Sequence, residues 1–216
     1  AETASAEFPT ATSTTLKLLL VIFLVAANGF FVAAEFALVA VRKSRIEALA
    51  KEGSGAAERL LGLLNNLNAY ISATQLGITL ASLGLGWVGE PAVAALLDPV
   101  LVRISEATGL AFLASGTVLH TISFAIAFSL ITFLHIVFGE LAPKTAALEL
   151  SEKVAFLVAL PLQIFYKIFY YPIRLLDWTG TKTVRLFGLH SSGEHGSIYT
   201  EDEIRQLVNV SHESGF

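Results

Sequence analysis

Glu140 and Lys144 stand four residues apart at the end of an apolar stretch, Leu119 to Phe138, that is long enough to cross a bilayer. A carboxylate near the hydrocarbon costs about 2.5 kcal/mol or more on insertion scales, so an acid kept there marks a functional site by default. Gly139 and Pro143 flank the acid, and the expectation is a broken helix whose freed carbonyls point where the acid points. A carboxylate beside loose carbonyls suits a hard cation. Two other stretches carry matching polar atoms. Asn28 and Glu35 are seven apart, two turns along one helix face, while Ser72, Gln75, Thr79, Ser82 and Gly86 recur at intervals of 3, 4, 3 and 4. Thr132, His135 and Gly139, at intervals of 3 and 4, lead into Glu140.

Amide oxygen, hydroxyls, carboxylate and carbonyls are all oxygen donors, with no cysteine to select a soft metal and no dense histidine cluster for zinc. That set matches Mg2+, Ca2+ or Na+, and the donors alone do not separate Mg2+ from Ca2+. The plainer reading of each hydroxyl is close helix packing with a bond across, worth well under 2 kcal/mol. Asn28 and Glu140 resist that reading, because packing requires neither. Glu35 lies under two turns from Arg42 and pairs or snorkels there as readily as it binds an ion. His120 and His135 read as hydrogen-bonded packing residues. Lys144 sits in the favourable orientation for a helical ion pair with Glu140, or reaches the headgroups instead.

The elements that must position these residues are membrane helices. In 216 residues 54% are hydrophobic and 15% charged, with a net charge of -4, against roughly 25% charged in a soluble domain. Leu18 to Val41 is long enough to span a ~30 Å hydrocarbon layer with some tilt, and it stops at Arg42-Lys43-Ser44-Arg45, which marks a cytoplasmic end. Residues 42–67 form a juxtamembrane helix broken at Gly53-Ser54-Gly55. Ala69 to about Val88 is the second span. Gly89 to about Ser115 holds only Arg103 against Glu90, Asp98 and Glu106, and is placed outside. Gly116 to Phe138 is the third span. The fold expected is an all-α membrane protein of three spans, N-terminus outside and C-terminus cytoplasmic.

Residues 1–17 read as a disordered leader, rich in Thr, Ser and Ala with no basic start. After Leu148, Pro161 and Pro172 divide the apolar chain into pieces too short to cross. Phe165, Tyr166, Phe169, Tyr170, Tyr171 and Trp178 interleave there with Lys167, Arg174, Lys182 and Arg185, as in helices lying in the interface. A fourth span through Val154 to Phe169 is the competing arrangement, and it requires Pro161 to be tolerated. The transmembrane domain thus covers 18–189. His190 to Gly196 is a polar linker, and Thr200 and Glu203 form a capping box opening an amphipathic helix, the expected start of a truncated cytoplasmic module over 190–216. No basic patch with interleaved aromatics points to nucleic acid. No nucleophile has a paired base, so an enzyme is not expected.

The run Asn28-Gly29-Phe30-Phe31-Val32-Ala33-Ala34-Glu35-Phe36-Ala37-Leu38 resembles the first-span motif of the CNNM/CorC magnesium transporters, Ser-Ala-Phe-Phe-Ser-x-x-Glu-x-Ala-Leu. Gly139-Glu140-Leu141-Ala142-Pro143-Lys144 is similar to their Gly-Glu-x-x-Pro-Lys. Ile71-Ser72-Ala73-Thr74-Gln75-Leu76-Gly77 and Thr200-Glu201-Asp202-Glu203-Ile204-Arg205 extend the likeness over nearly all of the chain from Leu18. The resemblance implies a homodimer in the cell (inner) membrane with three spans per subunit, moving Mg2+ with Na+ as a candidate coupling ion. It also implies an ATP-sensing CBS pair and a small C-terminal domain beyond this chain. Departures are specific. The family's first serine is Asn28, its second is Val32, and its Gly-Asn-x-x-x-Asn is Gly77-Ile78-Thr79-Leu80-Ala81-Ser82, leaving Ser82 as the surviving donor.

The candidate ligand set is therefore Asn28, Ser82, Gly139 and Glu140, with Thr79, Gln75, Ser72 and Glu35 as further donors. The function expected is Mg2+ transport, outward in direction. The alternative is a membrane anchor and Mg2+ sensor that regulates a partner and moves nothing.

Overall fold

The computed structural model describes residues 11–109 and 116–187, with side chains from residue 14 onward. The chain divides into two compact units, Ala1–Ile173 and Arg174–Phe216. Among the described residues the structure is all-α. Its helices are α1 (Ala11–Ala40), α2 (Lys43–Lys51), α3 (Gly55–Asn65), α4 (Leu67–Thr108), α5 (Gly116–Leu134), a π-helical segment (His135–Leu141), α6 (Ala142–Glu149), α7 (Ser151–Ile168) and α8 (Tyr170–Leu186). Three stretches are long and apolar enough to cross a membrane: Thr14–Ala40, Leu67–Thr108 and Gly116–Glu149. Large side chains such as Ile22, Phe23, Leu83, Trp87 and Phe133 stand exposed along them, as lipid contact requires.

Several boundaries differ from the sequence reading. Helix α1 begins at Ala11 rather than Leu18, because Ala11 to Lys17 contains no glycine or proline to stop a helix already nucleated by the apolar run. Residues 1–10 of the expected leader, the polar linker and the helix opening at Thr200 lie outside the described residues. Helix α4 does not end near Val88. It continues through Pro91 and Pro99 to Thr108, 42 residues or about 63 Å, and caps at Gly109 with φ 72°. The continuation buries Ala92, Val93 and Ala94 against Val21, Leu85, Ala127 and Ile131, which offsets the missing proline donors.

Pro161 does not divide the chain either. Helix α7 runs unbroken through it over 18 residues, and the interruption falls at Phe169. Helices α7 and α8 reach the length and hydropathy of a span only if joined across that interruption. Pro172 sits in the first turn of α8, where a missing N–H costs nothing. In the second unit, Lys182 Nζ lies 4.3 Å from the centre of the Trp178 ring, near Arg174 and Arg185 on the same helix.

A compact core forms at the end of the bundle that carries Arg42 to Arg45. Ala34, Leu38 and Val41 of α1 pack there with Ile46 of α2, Leu60 and Leu63 of α3, and Val158 and Leu162 of α7. The turn between α2 and α3 is set by Gly53, with φ 90°, and by Ser54, whose Oγ accepts from the N–H of Ala57 at 3.3 Å. Arg45 pairs with Glu152 at 2.6 Å, tying α2 to α7 on the surface. This collar fixes the lower half of α1, and hence the height of Glu35 and Asn28.

Candidate functional site

Pro143 has no N–H to return to the carbonyl four residues back, which belongs to Gly139. The chain does not break there, as the sequence led us to expect; it widens. Residues 135–141 take the π register, with the Ala142 N–H bonded to the Val137 carbonyl five residues earlier. The Gly139 carbonyl is filled from another helix, by Asn28 Nδ2 at 3.0 Å. Both residues are buried. Close approach makes this bond possible. A Cβ on Gly139 would stand 3.1 Å from Asn28 Nδ2 and 2.9 Å from the His135 ring, and one on Gly29 would meet Pro143 at 2.9 Å.

With its nitrogen committed, the Asn28 amide turns its oxygen to α4, where Ser82 Oγ donates to Oδ1 at 3.1 Å. Ser82 Oγ also lies 3.3 Å from His135 Nε2, and the same nitrogen is 3.9 Å from Glu140 Oε1. Asn28, Ser82 and His135 thus form one chain across three helices, with the Gly139 carbonyl at its first link, while Glu140 is exposed and stands beyond hydrogen-bond reach of His135. The Ser82 hydroxyl donates to Asn28 Oδ1, and it can turn to His135 only in the tautomer whose Nε2 carries no proton, which then has none to offer Glu140. Turned to His135, it leaves lone pairs of both Ser82 Oγ and Asn28 Oδ1 available to a cation.

The other sequence-predicted donors fall elsewhere. Gln75 and Thr79 stand exposed on α4, where Thr79 Oγ1 donates to the Gln75 carbonyl at 2.8 Å, and Ser72 is only half-buried. The stripe is split because α1 packs on Thr74, Gly77 and Ala81 instead, with Phe31 lying so close to Gly77 that a Cβ there would meet its ring at 2.5 Å. Ser82 sits at the edge where that face turns toward α5. Glu35 is half-buried one level nearer the basic cluster, and its Oε2 is 3.4 Å from Thr74 Oγ1. The single Thr74 proton is better placed on the Ile71 carbonyl at 2.7 Å, so Glu35 is weakly held. Among the described residues Glu35 has no ion pair with Arg42, nor Glu140 with Lys144. Residues four apart do not stack where the turn widens. Lys144 Nζ lies instead 4.6 Å from the centre of the Phe36 ring.

Two groups were missed as site residues. His135, read as packing, reaches Ser82 Oγ with its Nε2 and lies beside Glu140. Glu90, read as an outer-loop acid, lines a cavity of about 320 Å3 together with Ser82, Gly86, Thr132 and His135, walled by Phe124, Phe128 and Ile131. The signal was present: Ser82, Gly86 and Glu90 continue the polar stripe at steps of four.

The family model of the cyclin M transmembrane N-terminal domain, CNNM, matches residues 19–216. UPF0053 protein YhdT of Bacillus subtilis is 43% identical over 199 residues, 92% of this chain and 41% of the relative. YhdP of the same organism is 42% identical, covering 93% and 43%. UPF0053 protein sll0260 of Synechocystis is 36% identical, covering 94% and 43%. The chain spans less than half the length of these relatives.

Proposed function

The chain belongs to the CNNM family as a multi-pass membrane domain, and we propose that it forms the ion pathway of a Mg2+ transporter. The observation that carries this reading is the buried junction of Asn28, Ser82 and the Gly139 carbonyl, with His135 in contact and Glu140 next in the chain. Asn28 lies twelve residues before the end of α1, about 18 Å into the span, where water is scarce. Mg2+ is held at ~2.0 to 2.1 Å by oxygens in near-octahedral order and sheds water reluctantly. Asn28 Oδ1, Ser82 Oγ, the Gly139 carbonyl and a Glu140 carboxylate that swings inward replace part of that shell. The π turn supplies the movable part, because its register can revert toward α and carry Glu140 with it.

Alternating exposure of the site to the two faces would then move the ion. Homodimer assembly in the inner cell membrane, Na+ coupling, outward direction, and nucleotide control by a CBS pair beyond this chain belong to the same proposal. The test is Mg2+ flux in proteoliposomes. Glu140→Ala is expected to abolish flux while the protein still extracts as a folded species. Undiminished flux removes Glu140 from the mechanism. A wild-type protein that is thermally stabilised by Mg2+ yet moves none would instead favour the anchor and sensor alternative.

A further inference from the structure

Along α4 polar groups stand at Thr74, Ser82, Glu90 and Asp98, each eight residues from the next, about 12 Å, and Asp98 is already engaged, accepting from Ser123 Oγ of α5. Thr74 meets Glu35 at the level nearer the basic cluster, and Ser82 meets Asn28 at the middle level. The third level is the cavity of about 320 Å3 between α4 and α5, lined by Ser82 and His135 and, eight residues farther along α4, by Glu90. Among the described residues Glu90 enters no ion pair. Glu90 is half-buried and lines the cavity together with Phe124, Phe128 and Ile131, apolar walls that focus the field of a carboxylate.

We infer that Glu90 captures the incoming or departing cation at the mouth of this cavity, one step before the Asn28–Ser82 level. The cavity is large enough for a hydrated divalent ion. The carboxylate therefore binds it through water, while Thr132 and Ser82 offer hydroxyls as the shell is exchanged further in. Glu90 raises the local cation concentration without entering the final coordination shell. This inference rests on the transport reading above.

The experiment compares initial rates of Mg2+ flux against Mg2+ concentration for the wild type, Glu90→Gln, Glu90→Asp and Glu106→Gln. Glu106 is an exposed acid farther along α4 and controls for general surface charge. Glu90→Gln is expected to raise KM by about tenfold with maximal rate changed less than twofold, Glu90→Asp to restore most of the affinity, and Glu106→Gln to leave both parameters alone. An unchanged KM in Glu90→Gln overturns the inference and spares the transport reading. So does an equal shift in Glu106→Gln. Loss of maximal rate at unchanged KM would place Glu90 in the transport step itself and also overturn capture. Wild-type protein that moves no Mg2+ removes both readings together.

Discussion

The amide of Asn28 is fully buried and uses both of its ends, so its loss removes the donor to the Gly139 carbonyl and one of the two partners of Ser82. Asn28→Ala leaves the Gly139 carbonyl without a donor and should destabilise the protein by on the order of 1–3 kcal/mol, read as a lower melting temperature in detergent. The missing N–H of Pro143 creates that dependence. Pro143→Ala returns a backbone donor to Gly139, and in that background Asn28→Ala should cost markedly less. Additive costs in this double-mutant cycle would mean that the carbonyl is satisfied by some other route. At this scale much was legible. Asn28 and Glu140 stood out because no packing role accounts for them in lipid, and Gly139 with Pro143 announced a freed carbonyl. Which donor fills that carbonyl was not legible, since a bond between residues 28 and 139 depends on the height at which two helices cross.

Each helix reads its neighbours through small residues, and the seam between α1 and α4 depends on Gly77. Adding a methyl there places carbon 2.5 Å from the Phe31 ring, and Phe31 is itself held at 4.7 Å by the Phe165 ring of α7. Gly77→Ala is therefore expected to cost roughly 1–3 kcal/mol by overpacking. Gly62 of α3, with nothing within 4 Å of a built Cβ, makes the matched control. Gly62→Ala should be neutral or stabilising by up to ~1 kcal/mol through helix propensity alone. Equal melting shifts in the two variants would mean that the seam yields freely. The number and type of elements followed from hydropathy runs and the basic stop at Arg42. Their ends did not, because the second span was read as stopping near Val88 and Pro161 as dividing the chain. Burial of the residues beyond Pro91 and around Pro161 outweighs one absent hydrogen bond, and that burial is a tertiary fact.

The bundle places acids on either side of the Asn28–Ser82 level: Glu35 toward the collar of α2, α3 and α7, and Glu90 eight residues beyond Ser82 in the middle of α4. An arrangement of this kind makes the two acids separable by the side from which Mg2+ is supplied. If both acids serve the same pathway, Glu35→Gln should weaken apparent affinity when Mg2+ is offered from the side of Arg42 to Arg45. Glu90→Gln should do so from the other side. Oriented vesicles with Mg2+ on one face at a time give the measurement, and the expected pattern is a crossed one. Each variant shifts KM several-fold on one face and little on the other, because each acid meets the ion first only when it enters from that acid's own side. Equal shifts on both faces from either variant would mean that the acid acts on the shared middle level and not at an entrance. The residues around Asn28 would then hold the ion alone, with the outer acids adjusting only how strongly they hold it.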